Sequence, residues 1–104
     1  MELNQNSGAE ISLEEAQLYV SAFRKKYPAE VKAFFVGNES LRKVLNQENC
    51  MGARIYNGYD EKEGRLNIVI VGVDNDGCDM TKGVILDRTM PCPDFCDIKS
   101  PLMY

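Results

Sequence analysis

The stretch Leu66-Asn67-Ile68-Val69-Ile70-Val71-Gly72-Val73 constrains the fold of this chain more than any other segment. It is nearly all apolar and rich in β-branched residues, which fit a pleated, buried surface better than a helix. A strand apolar on both faces needs cover on both, so this one is expected at the centre of a sheet. From Ala53 onward the hydrophobic period falls from about 3.6 to about two. Arg54-Ile55-Tyr56 then reads as a strand, Asp60-Glu61-Lys62-Glu63-Gly64 as a hairpin loop, Asn75-Asp76-Gly77 as a turn, and residues 83–87 as a third strand.

Ahead of that switch the pattern is helical. Ser12 and Glu15 form a capping box. Ala16, Tyr19, Val20, Phe23 and Tyr27 follow as one apolar stripe, expected to be buried. Arg24, Lys25 and Lys26 oppose the negative end of the helix dipole, and Pro28 stops the helix. Residues 31–36 fit a helix or a short buried strand equally well. Asn38 or Ser40 is expected to cap a further helix running to about residue 47, with Leu41, Val44 and Leu45 on its inner face. Helices followed by strands predict an α+β fold, with N-terminal helices on one face of a small antiparallel meander of three or more strands. A chain of 104 residues suits one domain with its own core. Residues 1–10 are expected to be a mobile lead-in to a domain spanning 11–104. Within that domain, 91–104 form an irregular docked tail, stiffened by Pro91, Pro93 and Pro101.

Several chemistries are removed by what the chain lacks. It has no histidine, so a Ser-His-Asp or Cys-His arrangement cannot form within it. Its glycines are dispersed and none opens a helix as a phosphate-cradling loop. The formal net charge is −4, and no basic run exceeds Arg24-Lys25-Lys26. Duplex nucleic acid, bound mainly through phosphate neutralisation, is not an expected partner. Between Asp74 and Asp97 six Asp face Lys82 and Arg88, an acidic balance that suits a basic protein partner. The longest apolar run, Ile68 to Val71, falls far short of the ~20 residues of a membrane span, and the N-terminus lacks a secretory pattern. The expected compartment is the cytoplasm, with the cysteines as thiols or metal ligands rather than disulfides.

Four groups of residues remain as candidates for chemistry or binding. Cys50, Cys78, Cys92 and Cys96 have the count for an all-thiolate zinc site, although a strong zinc signal carries two tight pairs and this chain has one loose one. Cys92-Pro93-Asp94-Phe95-Cys96 is also one residue longer than the C-x2-C of thioredoxin-like redox sites. Asp74, Asp76 and Asp79 fail the EF-hand loop pattern and read first as an Asx turn, second as carboxylates for acid-base work. Arg54, Tyr56 and Tyr59 are residue types that anchor interfaces; Arg54 and Tyr56 share a strand face opposite Ile55, and if Ile55 faces the core an Arg/Tyr surface is exposed.

The segments Arg54-Ile55-Tyr56-Asn57-Gly58, Ile68 to Met80 and Cys92 to Cys96 resemble those of a group of small bacterial proteins. The resemblance covers the chain from Ser12 to its end; it implies a discrete domain family and carries no activity or ligand. The reading these residues favour is a non-enzymatic cytoplasmic interaction module without a cofactor, binding a protein partner or a second copy of itself. A zinc domain ligated by the four cysteines and a small carboxylate-dependent enzyme are the alternatives.

Overall fold

The first helix, α1 (Leu13–Lys26), begins where its cap predicts. Ser12 Oγ accepts the Glu15 backbone N–H at 3.1 Å, and at the other end the Tyr27 N–H closes on the Phe23 carbonyl at 2.8 Å, just ahead of Pro28. The computed structural model describes residues 2–87, 89–92 and 96–103. No residue of α1 is fully buried, and Leu18 is 72% exposed. The expected buried stripe is therefore only partly covered: Ala16 and Val20 are half-buried, whereas Tyr19 and Tyr27 are exposed. The reason is its neighbour. α1 packs against a short 3-10 turn, Pro101–Met103, which is too small to cover a four-turn helix. Two hydrogen bonds fasten that turn to the helix, from Gln17 Nε2 to the Pro101 carbonyl at 3.2 Å and from Arg24 Nη1 to the Leu102 carbonyl at 2.8 Å.

The ambiguous segment 31–36 forms a strand, β1 (Ala33–Phe35). The second helix, α2 (Asn38–Leu45), takes Gly37 as its N-cap rather than Asn38 or Ser40, with no side-chain capping bond. Of its expected inner residues Val44 is fully buried, Leu41 is half-buried and Leu45 is exposed. β2 (Cys50–Asp60) and β3 (Arg65–Asp74) form one long antiparallel hairpin. Its loop is built by Asp60, whose carboxylate accepts the Lys62 and Glu63 amides while its carbonyl accepts the Gly64 N–H at 2.7 Å. The expected third strand shrinks to two residues, β4 (Ile85–Leu86), giving a sheet in the order β2-β3-β4. β3 is central as predicted, and Ile70, Val71 and Val73 are buried.

The tail is more regular than expected. It contributes β5 (Met90–Cys92), which pairs antiparallel with β1, Ala33 facing Cys92 and Phe35 facing Met90. This two-stranded ribbon is separate from the three-stranded sheet. The architecture is α+β, two helices packed with small antiparallel sheets.

α2 lies on β2, β3 and β4, and Gln47 just beyond it ties the layers together. Its Nε2 donates to the Val44 carbonyl at 2.8 Å and its Oε1 accepts the Val84 N–H at 2.9 Å. Gly72 makes this contact possible: a Cβ there would stand 2.7 Å from Gln47 Nε2 and 3.2 Å from the sulfurs of Cys50 and Met80. On the opposite sheet face Leu3, Asn4, Gln5 and Ser7 line a small cavity with Arg54 and Val73. Among the described residues no helix is long and apolar enough to cross a membrane.

Candidate functional site

The register of β2 on β3 sorts the predicted interface residues onto two faces. Arg54 pairs with Val71 and Tyr56 with Val69, while Ile55 pairs with Ile70 and Tyr59 with Leu66. Opposed residues share a face and neighbours along a strand do not. Arg54 and Tyr56 therefore stand together, and Tyr59 stands on the other side with Ile55. Ile55 faces the helix side of the sheet without being buried there. Ile70 opposite it is 2% exposed, but Ile55 itself is 61% exposed, because cover on the helix side stops short of this part of the outer strand.

Arg54 and Tyr56 gain a partner from the acidic turn. The Asp74 carboxylate accepts the amides of Asp76 at 2.9 Å and Cys78 at 3.0 Å, and Gly77 takes φ +82°, a conformation open to glycine at little cost. The turn returns the chain so that Asp79 bridges Val73, on the same face as Arg54. There Arg54 Nη1 forms an ion pair with Asp79 Oδ1, and the Tyr56 hydroxyl donates to Asp79 Oδ2. Arg54 Nη2 also donates to the Gly77 carbonyl at 3.3 Å. The Asx-turn reading thus holds for Asp74, and Asp74, Asp76 and Asp79 do not converge. Asp74 serves its own backbone, Asp76 is exposed, and Asp79 is joined to β2.

The electrostatics of this cluster resist titration near neutrality. The Tyr56 hydrogen bond, aided by the Arg54 guanidinium, holds the Asp79 carboxyl below its ordinary range. The bond to Asp79 pushes the Tyr56 phenol above its ordinary range and likewise raises Arg54. General acid-base work is served best by a group poised near the working pH, and these three are shifted away from it. The cluster is chemically suited to fixing the shape of the β2 surface and closing the acidic turn onto it.

A second feature lies between α1, the β1–β5 ribbon and the strap formed by residues 96–103. There a cavity of about 590 Å³ is walled by Val20 and Phe23 of α1, Phe34, Leu66, Leu102 and both Cys92 and Cys96. Cys92 and Cys96 are joined in a disulfide. This corrects the expectation of thiols or metal ligands: the four-residue separation brings their Cα atoms to 4.8 Å, within the span a disulfide bridges. The other two cysteines are free. Cys50 is half-buried with its thiol on the Gly52 carbonyl at 3.1 Å, and Cys78 is exposed at the acidic turn. Among the described residues no group of three or more His, Cys, Asp or Glu is placed to hold a metal ion. Pro93, Asp94 and Phe95 of the C-x3-C segment lie outside the described residues.

The third feature is an edge. β2 spans Cys50 to Asp60 and is bonded to β3 on one side; among the described residues no strand pairs with its other side. Ile55, Tyr56 and Tyr59 are all exposed along it. Sequence reasoning found the three side chains but missed the length of the free edge, because a strand's neighbours are set by long-range pairing. No protein-family model, curated protein or solved structure matches the chain.

Proposed function

We propose that this protein is a non-enzymatic interaction module of the cytoplasm that self-associates through the outer edge of β2. The observation that carries this reading is the unpaired edge, among the described residues, of a strand as long as Cys50–Asp60, bearing exposed Ile55, Tyr56 and Tyr59. A row of free backbone donors and acceptors is a template for another strand, and monomeric proteins blunt such edges with proline, lysine, bulges or short length. β2 has no proline and no lysine, and its register irregularity lies at the Cys50/Gly52 end, away from the apolar stretch. Its one cation, Arg54, is engaged by Asp79. A two-fold antiparallel pairing of β2 with β2 of a second copy would join two three-stranded sheets into one. It would also cover Ile55, the large apolar side chain left open on the helix side. Sedimentation velocity on the full chain tests this. The expected result is a dimer for the wild type and a monomer for Ile55→Lys, with unchanged circular dichroism. A wild type that stays monomeric at every concentration would overturn it.

A further inference from the structure

The cavity beside α1 is the largest opening among the described residues that brings a reactive bond to its wall, and the self-association reading makes no use of it. Its walls are mostly apolar, yet both cysteines of the Cys92–Cys96 disulfide line it. The two sulfurs are held very differently. Cys92 is 2% exposed, its carbonyl accepts the Lys32 N–H at 2.7 Å within the ribbon, and its sulfur lies 3.7 Å from Met103 Sδ. Cys96 is only half-buried and stands at the root of the strap. Thiol–disulfide exchange depends on which sulfur an incoming thiolate can reach. Arg24 and Lys32 line the same cavity against a single acid, Asp97, so its wall favours an anionic nucleophile.

We propose that Cys92–Cys96 is a thiol–disulfide exchange site, entered through the cavity between α1 and the ribbon, which takes a small dithiol as its reductant. One thiolate of the dithiol attacks Cys96 Sγ. The Cys92–Cys96 bond breaks, a mixed disulfide forms at Cys96, and Cys92 leaves as a thiolate that water protonates. The second thiol of the reductant, deprotonated, then attacks its own sulfur partner in the mixed disulfide. Cys96 is released and protonated, and the reductant departs as a cyclic disulfide. Two electrons and two protons pass from the dithiol to the protein, and the reverse sequence restores the bond. Cys92 stays fixed in the ribbon and the strap stays on α1 through Gln17 and Arg24, so reduction removes the covalent side-chain link between these two walls of the cavity.

The test uses the oxidised full chain in non-denaturing buffer with dithiothreitol as the dithiol. Samples are quenched with acid, the free cysteines are then alkylated with iodoacetamide in urea, and the alkylated positions are located by fragmentation mass spectrometry. In the folded protein Cys92 and Cys96 should become alkylated together, at a rate within about tenfold of that in urea. With oxidised glutathione as the probe, Cys92→Ser should take up glutathione at Cys96. Cys96→Ser should take it up at Cys92 at least about tenfold more slowly, as burial demands. Reduction that appears only when urea unfolds the chain would overturn the proposal. So would equal reactivity of the two variants, or oxidised protein in which Cys92 and Cys96 are both free. Should either variant fail to fold, the wild-type rates with and without urea decide alone.

Discussion

Around β3, the half of the molecule built from α2 and the three-stranded sheet encloses Val44, Ile70, Val71 and Val73. The half built from α1, the β1–β5 ribbon and the strap encloses Val31, Pro91 and Cys92. The first is held by burial and strand register, with Gln47 bonded across the layers. The second is held by two side-chain bonds to the 3-10 turn, a ribbon of three paired residues and a disulfide, around a cavity. A region with few buried contacts opens more readily than a packed core. The difference separates a scaffold, which presents the β2 edge, from an adjustable compartment beside it.

Substitution should expose this contrast most sharply in the core of the scaffold. Ile70→Ala removes a buried side chain beneath α2 and should cost about 2–5 kcal/mol in urea unfolding. Gln47→Ala should cost about 1–3 kcal/mol, because the half-buried Val84 N–H loses its acceptor along with the bond to Val44. Ser12→Ala, which removes the α1 cap, should cost about 0.5–2 kcal/mol. Leu18→Ala on the same helix should lie within about 0.5 kcal/mol of wild type, since that side chain is already in solvent. A large Leu18 effect would mean that α1 is covered by something other than the strap.

The pH dependence should be traceable to the Arg54–Tyr56–Asp79 cluster. Asp79 ionises below its ordinary 3.8 in the folded chain, so its contribution is present above that value and is lost as pH falls through the depressed one. Tyr56 ionises above its ordinary 10.0, so its contribution is present below that value and is lost as pH rises through the raised one. Asp79→Asn should show its deficit in urea midpoint at neutral pH, and the deficit should shrink as the medium is acidified. A deficit independent of acid would show that the carboxylate charge is not what the cluster uses.

Local signals in the sequence located α1, the Asp60 loop, the Asx turn and the central strand well. Each depends on residues within a few positions of one another, such as Ser12 with Glu15 or Asp74 with Cys78. Long-range pairing was out of their reach. Residues 31–36 became a strand only because residues 90–92, far along the chain, lie beside them. The α1 stripe reads as buried in the sequence, yet its cover is a three-residue turn. The members of the Arg54–Tyr56–Asp79 cluster were all visible as candidates, but in two separate groups, and register joined them while sending Tyr59 to the other face. The disulfide was legible only as a spacing: two cysteines four positions apart can bridge, and the expected reducing compartment argued against it.

The most direct test of self-association through β2 is amide hydrogen exchange along residues 50–60, measured at low and high protein concentration. If β2 pairs with a second copy, the amides not used in the bonds to β3 should gain protection as concentration rises, at alternate residues along the strand. Those facing β3 should be protected throughout. Outer-edge amides that exchange equally fast at every concentration would contradict the account, and the exposed Ile55 and Tyr59 would then need a different partner.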